Sequence, residues 1–340
     1  MSIKPFFRLF RNDQLGAFLS VNALFKPFNK LTYLAAAKEC GLFDLLCGEP
    51  VEFEQLAQTY CRDAKGREAL EAWLQLGVRL GHLELGPQGY VLKGLAKKLA
   101  LPKNDSALAL IQEVAGLHYK LISNTPQKLR NGELWGLKDQ DGEVIARSSR
   151  VLEAFQTEAI DRCFSASGDT TLLEIGCGSG IYIRHAATRN PSLSAVGLEL
   201  QPNVADVARR SMAEWGLQDR VSIETGDIRE KVPEERFDIV TLNNNIYYFP
   251  VEDRVSLLGG IRKFLKPGGF LFLTTCCQGG SLGIEVLNLW GAATAACGRL
   301  PRVDEMIGQM QAAGFEDVQA VSMIPGEKFY AFKAYNAGAA

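Results

Sequence analysis

The stretch that most limits what this chain can fold into is residues 172–180, LLEIGCGSG. An apolar run that reads as a buried parallel strand reaches Glu174. Gly176, Gly178 and Gly180 then follow at alternate positions, and a helix-like segment begins. A strand ending in glycines lets the backbone approach a ligand that a Cβ would hold off. It also aims the first N–H groups of the next helix towards that ligand. A dinucleotide fingerprint would need its third glycine where Ile181 stands. The spacing here is E-x-G-x-G-x-G instead.

Downstream acids fall at matching distances. An apolar run at 195–198 ends in Glu199 and Leu200, about twenty residues past the glycines, where a carboxylate can accept both hydroxyls of a ribose. A strand at 221–223 precedes Gly226-Asp227-Ile228. Another, at 237–242, opens into Asn243-Asn244-Asn245, and Lys266-Pro267-Gly268-Gly269 turns into a strand at 270–275. Over residues 171–332 this order resembles the Rossmann-like, class I methyltransferases that use S-adenosylmethionine (SAM). The resemblance implies an α/β fold with a seven-stranded, mostly parallel sheet, SAM as cofactor and no metal. It puts Glu174, Gly176, Cys177, Gly178, Gly180, Glu199, Leu200, Gly226, Asp227, Ile228 and Asn243 around the cofactor. Asp227 would take the adenine amino group, with its neighbour against the ring.

The totals set bounds on the rest. A chain of 340 residues has room for two domains. Apolar content of 47% with 22% charged residues describes a soluble globular protein. A net charge of -2 offers no general field for nucleic acid or an anionic membrane. Eight cysteines include no C-x-x-C pair, and none of the three histidines lies within ligand spacing of a cysteine, which argues against zinc. Free thiols of this kind suit a reducing cytosol. No apolar run is long enough to span a membrane. The N-terminus, MSIKPFFRLFRNDQ, threads charges through its aromatics, unlike a signal peptide. Cytoplasmic location is the expectation.

Ahead of the sheet domain, residues 1–28 carry Phe6, Phe7, Phe10, Phe18, Phe25 and Phe28. Such a segment packs on its own or a partner's helical domain, or closes as a lid over the substrate mouth. In residues 29–145, helical patterns at 31–46, 51–61 and 66–80 lead to a hairpin at 81–92, a winged-helix-like layout. The candidate recognition helix sets Arg67 and Arg79 against Glu68 and Glu71, with Glu84 on the wing. Its Leu70, Trp73, Leu74 and Val78 make an apolar face. DNA binding would need a clustered basic face. The layout resembles the N-terminal domain of O-methyltransferase-like enzymes, which implies a homodimer and a wall for a small-molecule substrate. By the same resemblance a helix at 106–132 lends His118 and Tyr119 to the acceptor side. Residues 146–168 read as a linker helix, running as helix from 143 to 166, and 169–340 as the SAM-binding domain. Gln278 and Glu285, beyond the strand at 270–275, are further acceptor-side candidates.

The sulfonium of SAM makes each attached carbon a target for in-line attack. An enzyme must align the nucleophile, exclude water and, where needed, remove a proton. In the related O-methyltransferases a histidine after the fourth strand takes that proton. Aligning Phe249-Pro250 with the family's aromatic puts Tyr247 in its place and Tyr248 beside it. A tyrosine, with a pKa of about 10, is a poor base near neutrality, though its ring face can position a cation. Tyr247, Tyr248, Asn243, Asn244 and His118 are the catalytic-side candidates. Base-driven methylation of a phenol is thereby demoted. The first reading is methylation of a small specialised metabolite without a histidine base, at a nucleophile that needs little activation such as a nitrogen, an acidic carbon or an alkene. The second is cyclisation of SAM by its own amino group, giving azetidine-2-carboxylate and methylthioadenosine. A non-catalytic SAM-binding regulator is the third, since one fold hosts several outcomes.

Overall fold

A computed structural model describes residues 3–337. The chain divides into two compact units, Met1–Tyr119 with Asp141–Val151, and Lys120–Gln140 with Leu152–Ala340. The first unit holds an antiparallel hairpin, β1 (Leu83–Gly86) and β2 (Gly89–Leu92). The second holds β3 (Thr170–Ile175), β4 (Leu193–Glu199), β5 (Val221–Thr225), β6 (Phe237–Asn243), β7 (Leu265–Cys276), β8 (Glu316–Ser322) and β9 (Phe329–Tyr335).

These seven strands form one sheet in the order β5-β4-β3-β6-β7-β9-β8. β3 to β7 run parallel, while β9 pairs antiparallel with both β7 and β8. The seven-stranded, mostly parallel expectation is met. β3, β6 and the second half of β7 are buried along most of their length, as central parallel strands are. From β3 the chain winds outward through β4 to β5 and then returns to β6 on the other side of β3. That reversal opens a crevice at the carboxyl ends of β3 and β6, where open α/β sheets bind ligands. Glu174 and Asn243 stand at those ends.

Some boundaries differ from the sequence reading. The expected turn at 266–269 lies inside β7, and the β6–β7 register slips there between Phe237 and Ile239. The expected helix at 143–166 is two helices, Gly142–Ser148 and Glu153–Cys163, joined by the 3-10 turn Ser149–Leu152. The helix expected at 106–132 is interrupted by a π turn, Val114–His118, between Asp105–Glu113 and Tyr119–Arg130.

The first unit packs helices Gln14–Glu39, Phe53–Tyr60 and Ala64–Leu80 with the hairpin around Leu34, Phe43, Leu56, Leu74 and Leu83. Helix Gln14–Glu39 runs straight through Pro27, so no break separates the aromatic segment from the helix expected at 31–46. Proline inside a helix strips a donor from the carbonyl four residues back. Here that residue is Ala23, which is exposed and open to water. Helix Lys4–Arg11 and the first half of Gln14–Glu39 bury nothing. The six phenylalanines of residues 6–28 are 53–72% exposed, so this chain's own helical domain does not cover them.

Candidate functional site

The glycine loop is built against β4. The N–H groups of Gly176 and Cys177 both donate to the Leu198 carbonyl, at 2.7 and 3.1 Å. The Gly178 N–H donates to Glu199 Oε2 at 3.0 Å, and the Gln201 N–H to its Oε1 at 3.1 Å. Gly226 N–H donates to the Glu199 carbonyl at 2.9 Å, tying the end of β5 to the same place. Gly176 has φ +68°, and a Cβ on it would lie 2.6 Å from Asn245 Nδ2, so only glycine fits. That Asn245 amide donates to the Ile175 carbonyl at 2.7 Å and clamps the loop from the far side. Gly180 begins helix Ile181–Arg189 with φ +78°, against the Met212 methyl. Three loop amides are thus spent on β4. A phosphate site would leave such amides free for the anion.

Behind the loop lies a chain of buried polar side chains. Gln156, 1% exposed on helix Glu153–Cys163, donates through Nε2 to Asn243 Oδ1. Thr274 Oγ1 donates to the same oxygen at 3.4 Å. With its oxygen fixed by two donors, Asn243 turns its Nδ2 onto Glu174 Oε1, 2.7 Å away. Glu174 is 1% exposed, and its Oε2 is buried without a partner. Burial lifts the Glu174 pKa to about 8, a rise that the Asn243 hydrogen bond and the Ile183 backbone N–H oppose and nearby Glu199 reinforces. An acid held like this suits a ligand that brings positive charge.

The remaining cofactor-side candidates spread around the same edge. Burial pushes the Cys177 thiol well above its usual range, so it is no nucleophile at neutral pH. Leu200 is 53% exposed just past β4. Asp227 accepts from the Arg229 N–H at 2.9 Å and pairs with its guanidinium, which holds the carboxyl below its usual range. Ile228 is buried in the core cluster with Leu173 and Leu198.

On the acceptor side, Asn244 takes φ +53°, unusual for a residue with a side chain, and donates its N–H to the Thr274 carbonyl at 2.7 Å. Tyr247 and Tyr248 form a tilted ring pair with centroids 4.7 Å apart. Tyr247 is 6% exposed and clusters with Cys276, Ile284, Leu300 and Phe329, while Tyr248 is only partly buried. Arg254, fully buried, donates to the Phe249 carbonyl at 3.2 Å and the Arg299 carbonyl at 2.6 Å, and burial lowers its pKa to about 10. It fixes the tyrosine segment against residues 298–299. Gln278 donates to the Leu300 carbonyl at 2.5 Å, and Glu285 accepts from the Gly279 N–H at 2.8 Å, so both brace the loop after β7. His118 belongs to the first unit, at the end of the π turn, and bonds Glu113 at 3.0 Å. Tyr119 is exposed there, its ring 6.3 Å from Phe28. Gln156, Asn245 and Arg254 were not foreseen. Only Asn245, next to two named asparagines, carried a signal that could have found it.

Residues 173–271 match the family model described as a methyltransferase domain. Residues 173–271 therefore form a methyltransferase domain. A mitomycin biosynthesis 6-O-methyltransferase of Streptomyces lavendulae is 26% identical over 270 residues, 75% of this chain and 76% of that protein. Shorter matches cover about a third of this chain and of the relative. Among solved structures, that of the mitomycin 7-O-methyltransferase MmcR superposes with TM-score 0.79 at 19% identity, over 96% of this chain and all of that one. Human N-acetylserotonin methyltransferase in complex with SAM gives 0.70 at 19% identity, over 95% and 98%. SAM fits the methyltransferase site on its own chemistry, being a cationic nucleoside without phosphate. The loop keeps no free amides for phosphate at Gly176, Cys177 and Gly178, and Glu174 presents a buried acid with one oxygen unmet. Among the described residues no cluster of three or more His, Cys, Asp or Glu could hold a metal. No described helix is long and apolar enough to cross a membrane.

Proposed function

We propose that this protein transfers a methyl group from SAM to an oxygen of a small specialised metabolite, without a histidine general base. The observation that carries the reading is the segment after β6, which offers the Tyr247–Tyr248 pair and no imidazole. The chain's three histidines are engaged elsewhere: His118 bonds Glu113, His185 bonds Asp161, and His82 is buried beside Tyr33. The O-methyltransferase relatives support oxygen as the acceptor atom.

Bound SAM supplies an electrophilic methyl on a sulfonium. Glu174, the glycine loop, Glu199 and Asp227 hold it, and Asn243 keeps Glu174 in place. Tyr247 and Tyr248 flank the reacting end with electron-rich faces that favour a cation. With no imidazole there, the acceptor is a hydroxyl acidic enough to ionise near neutral pH. A homodimer through the exposed phenylalanines of residues 6–28 belongs to the same reading, because exposed apolar surface of this extent marks an interface.

The test is S-adenosylhomocysteine formation with a panel of acidic phenols and enols. With an acceptor already ionised at pH 6, kcat at saturating SAM should change less than about twofold between pH 6.5 and 8. An inflection within that range that disappears in His118→Gln would overturn the base-free reading. Methylthioadenosine from SAM alone would replace methyl transfer with cyclisation.

A further inference from the structure

We propose that SAM binding expels a proton from Glu174, and that Gln156 and Asn243 are the positioning residues that set how readily it leaves. This rests on the methyltransferase reading. The geometry is the one-way relay already described. Gln156 and Thr274 both donate to Asn243 Oδ1, so the Asn243 amide has its N–H groups left for Glu174. Gln156 lies eighty-seven positions away from Asn243, on a different element, and is itself buried while Asn243 is partly so. A glutamine buried to this degree normally sits in apolar packing or finishes a network. Here it finishes one whose last oxygen, Glu174 Oε2, meets nothing.

An orphaned, buried carboxyl oxygen is costly, and most costly when ionised. The Asn243 amide and the Ile183 backbone N–H relieve part of that cost, and no cation beside it relieves the rest. From β4 comes Glu199, another acid, and from the loop comes the Cys177 thiol, itself kept protonated by burial. Arg209, from helix Pro202–Glu214, acts on that thiol and spends its guanidinium on Asp206, Thr225 and the Ile223 carbonyl. β6 and β7 contribute only Asn243, Thr241 and Thr274, which are neutral. Helices Glu153–Cys163 and Ile181–Arg189 have Asp161, His185 and Arg189 bonded to one another. The ligand-free acid therefore keeps its proton through neutral pH. SAM brings a sulfonium, an ammonium and one carboxylate, a net positive charge, to the crevice beside this acid. Opposite charge nearby favours the ionised form, so binding and proton loss are linked, and the proton goes to solvent.

The experiment is calorimetry of SAM binding at pH 7 in buffers of different ionisation enthalpy, with affinity followed from pH 6 to 7, where the ligand's own amino group stays charged. The expected wild-type result is release of about 0.9 proton at pH 7, with affinity rising close to tenfold per pH unit. Glu174→Gln should release none and lose the slope. Gln156→Leu, which frees the Asn243 amide to turn, should bind with the pH dependence displaced to higher pH, a shift that lost packing alone would not give. SAM binding with no proton release in wild type overturns the proposal and leaves the methyltransferase reading intact, as does a Glu174→Gln protein that still releases a proton. Absence of SAM binding in wild type removes both.

Discussion

The crevice at the ends of β3 and β6 and the N-terminal helices break the usual rule of burial in opposite directions. At the crevice, Glu174 and Gln156 are polar groups withdrawn from water, and one carboxyl oxygen has no hydrogen-bond partner. In helices Lys4–Arg11 and Gln14–Glu39, six phenylalanines are more than half exposed to water. A buried polar group with an unmet atom calls for a charged or hydrogen-bonding ligand. An exposed apolar face calls for another surface. The two regions therefore point to different kinds of molecule, a small cation for one and protein for the other.

Replacing Phe6, Phe10, Phe18 and Phe25 together by serine should sharpen the contrast most. The mass by light scattering should fall by half while the circular dichroism of the rest persists. An unchanged mass would break the comparison on the apolar side. Next comes Glu174→Gln in the ligand-free protein. A carboxyl whose folded pKa is raised to about 8 stabilises the fold below its unfolded value of about 4.5 and loses that contribution as pH climbs through 8. Wild-type unfolding free energy should accordingly fall between pH 5 and 8 by an amount of order 3 kcal/mol, read as a falling Tm. The Gln variant should be flat and the more stable of the two at pH 8. A wild-type Tm that rises across that window would remove the buried acid. Gly176→Ala should cost about 1–3 kcal/mol through the strained φ and the contact with Asn245, read as a ten- to hundredfold loss of SAM affinity. Smallest is Tyr247→Phe, expected to lower turnover about threefold to tenfold with SAM affinity unchanged. Equal turnover would make Tyr247 only a packing residue of its cluster with Phe329 and Leu300.

How much of this was legible in the sequence follows the range of the interactions. The glycine string, Glu199 and the strands were readable because local backbone demands and apolar periodicity write themselves into neighbouring residues. The Asn243–Glu174 pairing joins neighbouring strands, and the family resemblance placed both residues at the cofactor without pairing them. Gln156 was invisible, since a glutamine on a mixed helix reads as a solvated face until a partner far along the chain is known. The π turn at Val114–His118 left no trace either, because one extra residue in a helical turn barely disturbs the apolar pattern. The continuity of the helix through Pro27 was not read either; exposure of Ala23 lets water satisfy the carbonyl that the proline strips.

The Asn245 clamp has a further consequence for how fast the site can fill. Because its amide already holds the Ile175 carbonyl, and β4 already holds the amides of Gly176, Cys177 and Gly178, the loop surrendered its conformational freedom when the sheet folded. The incoming ligand has little ordering left to impose there, so capture should be a single-step encounter with the loop's shape the same before and after it.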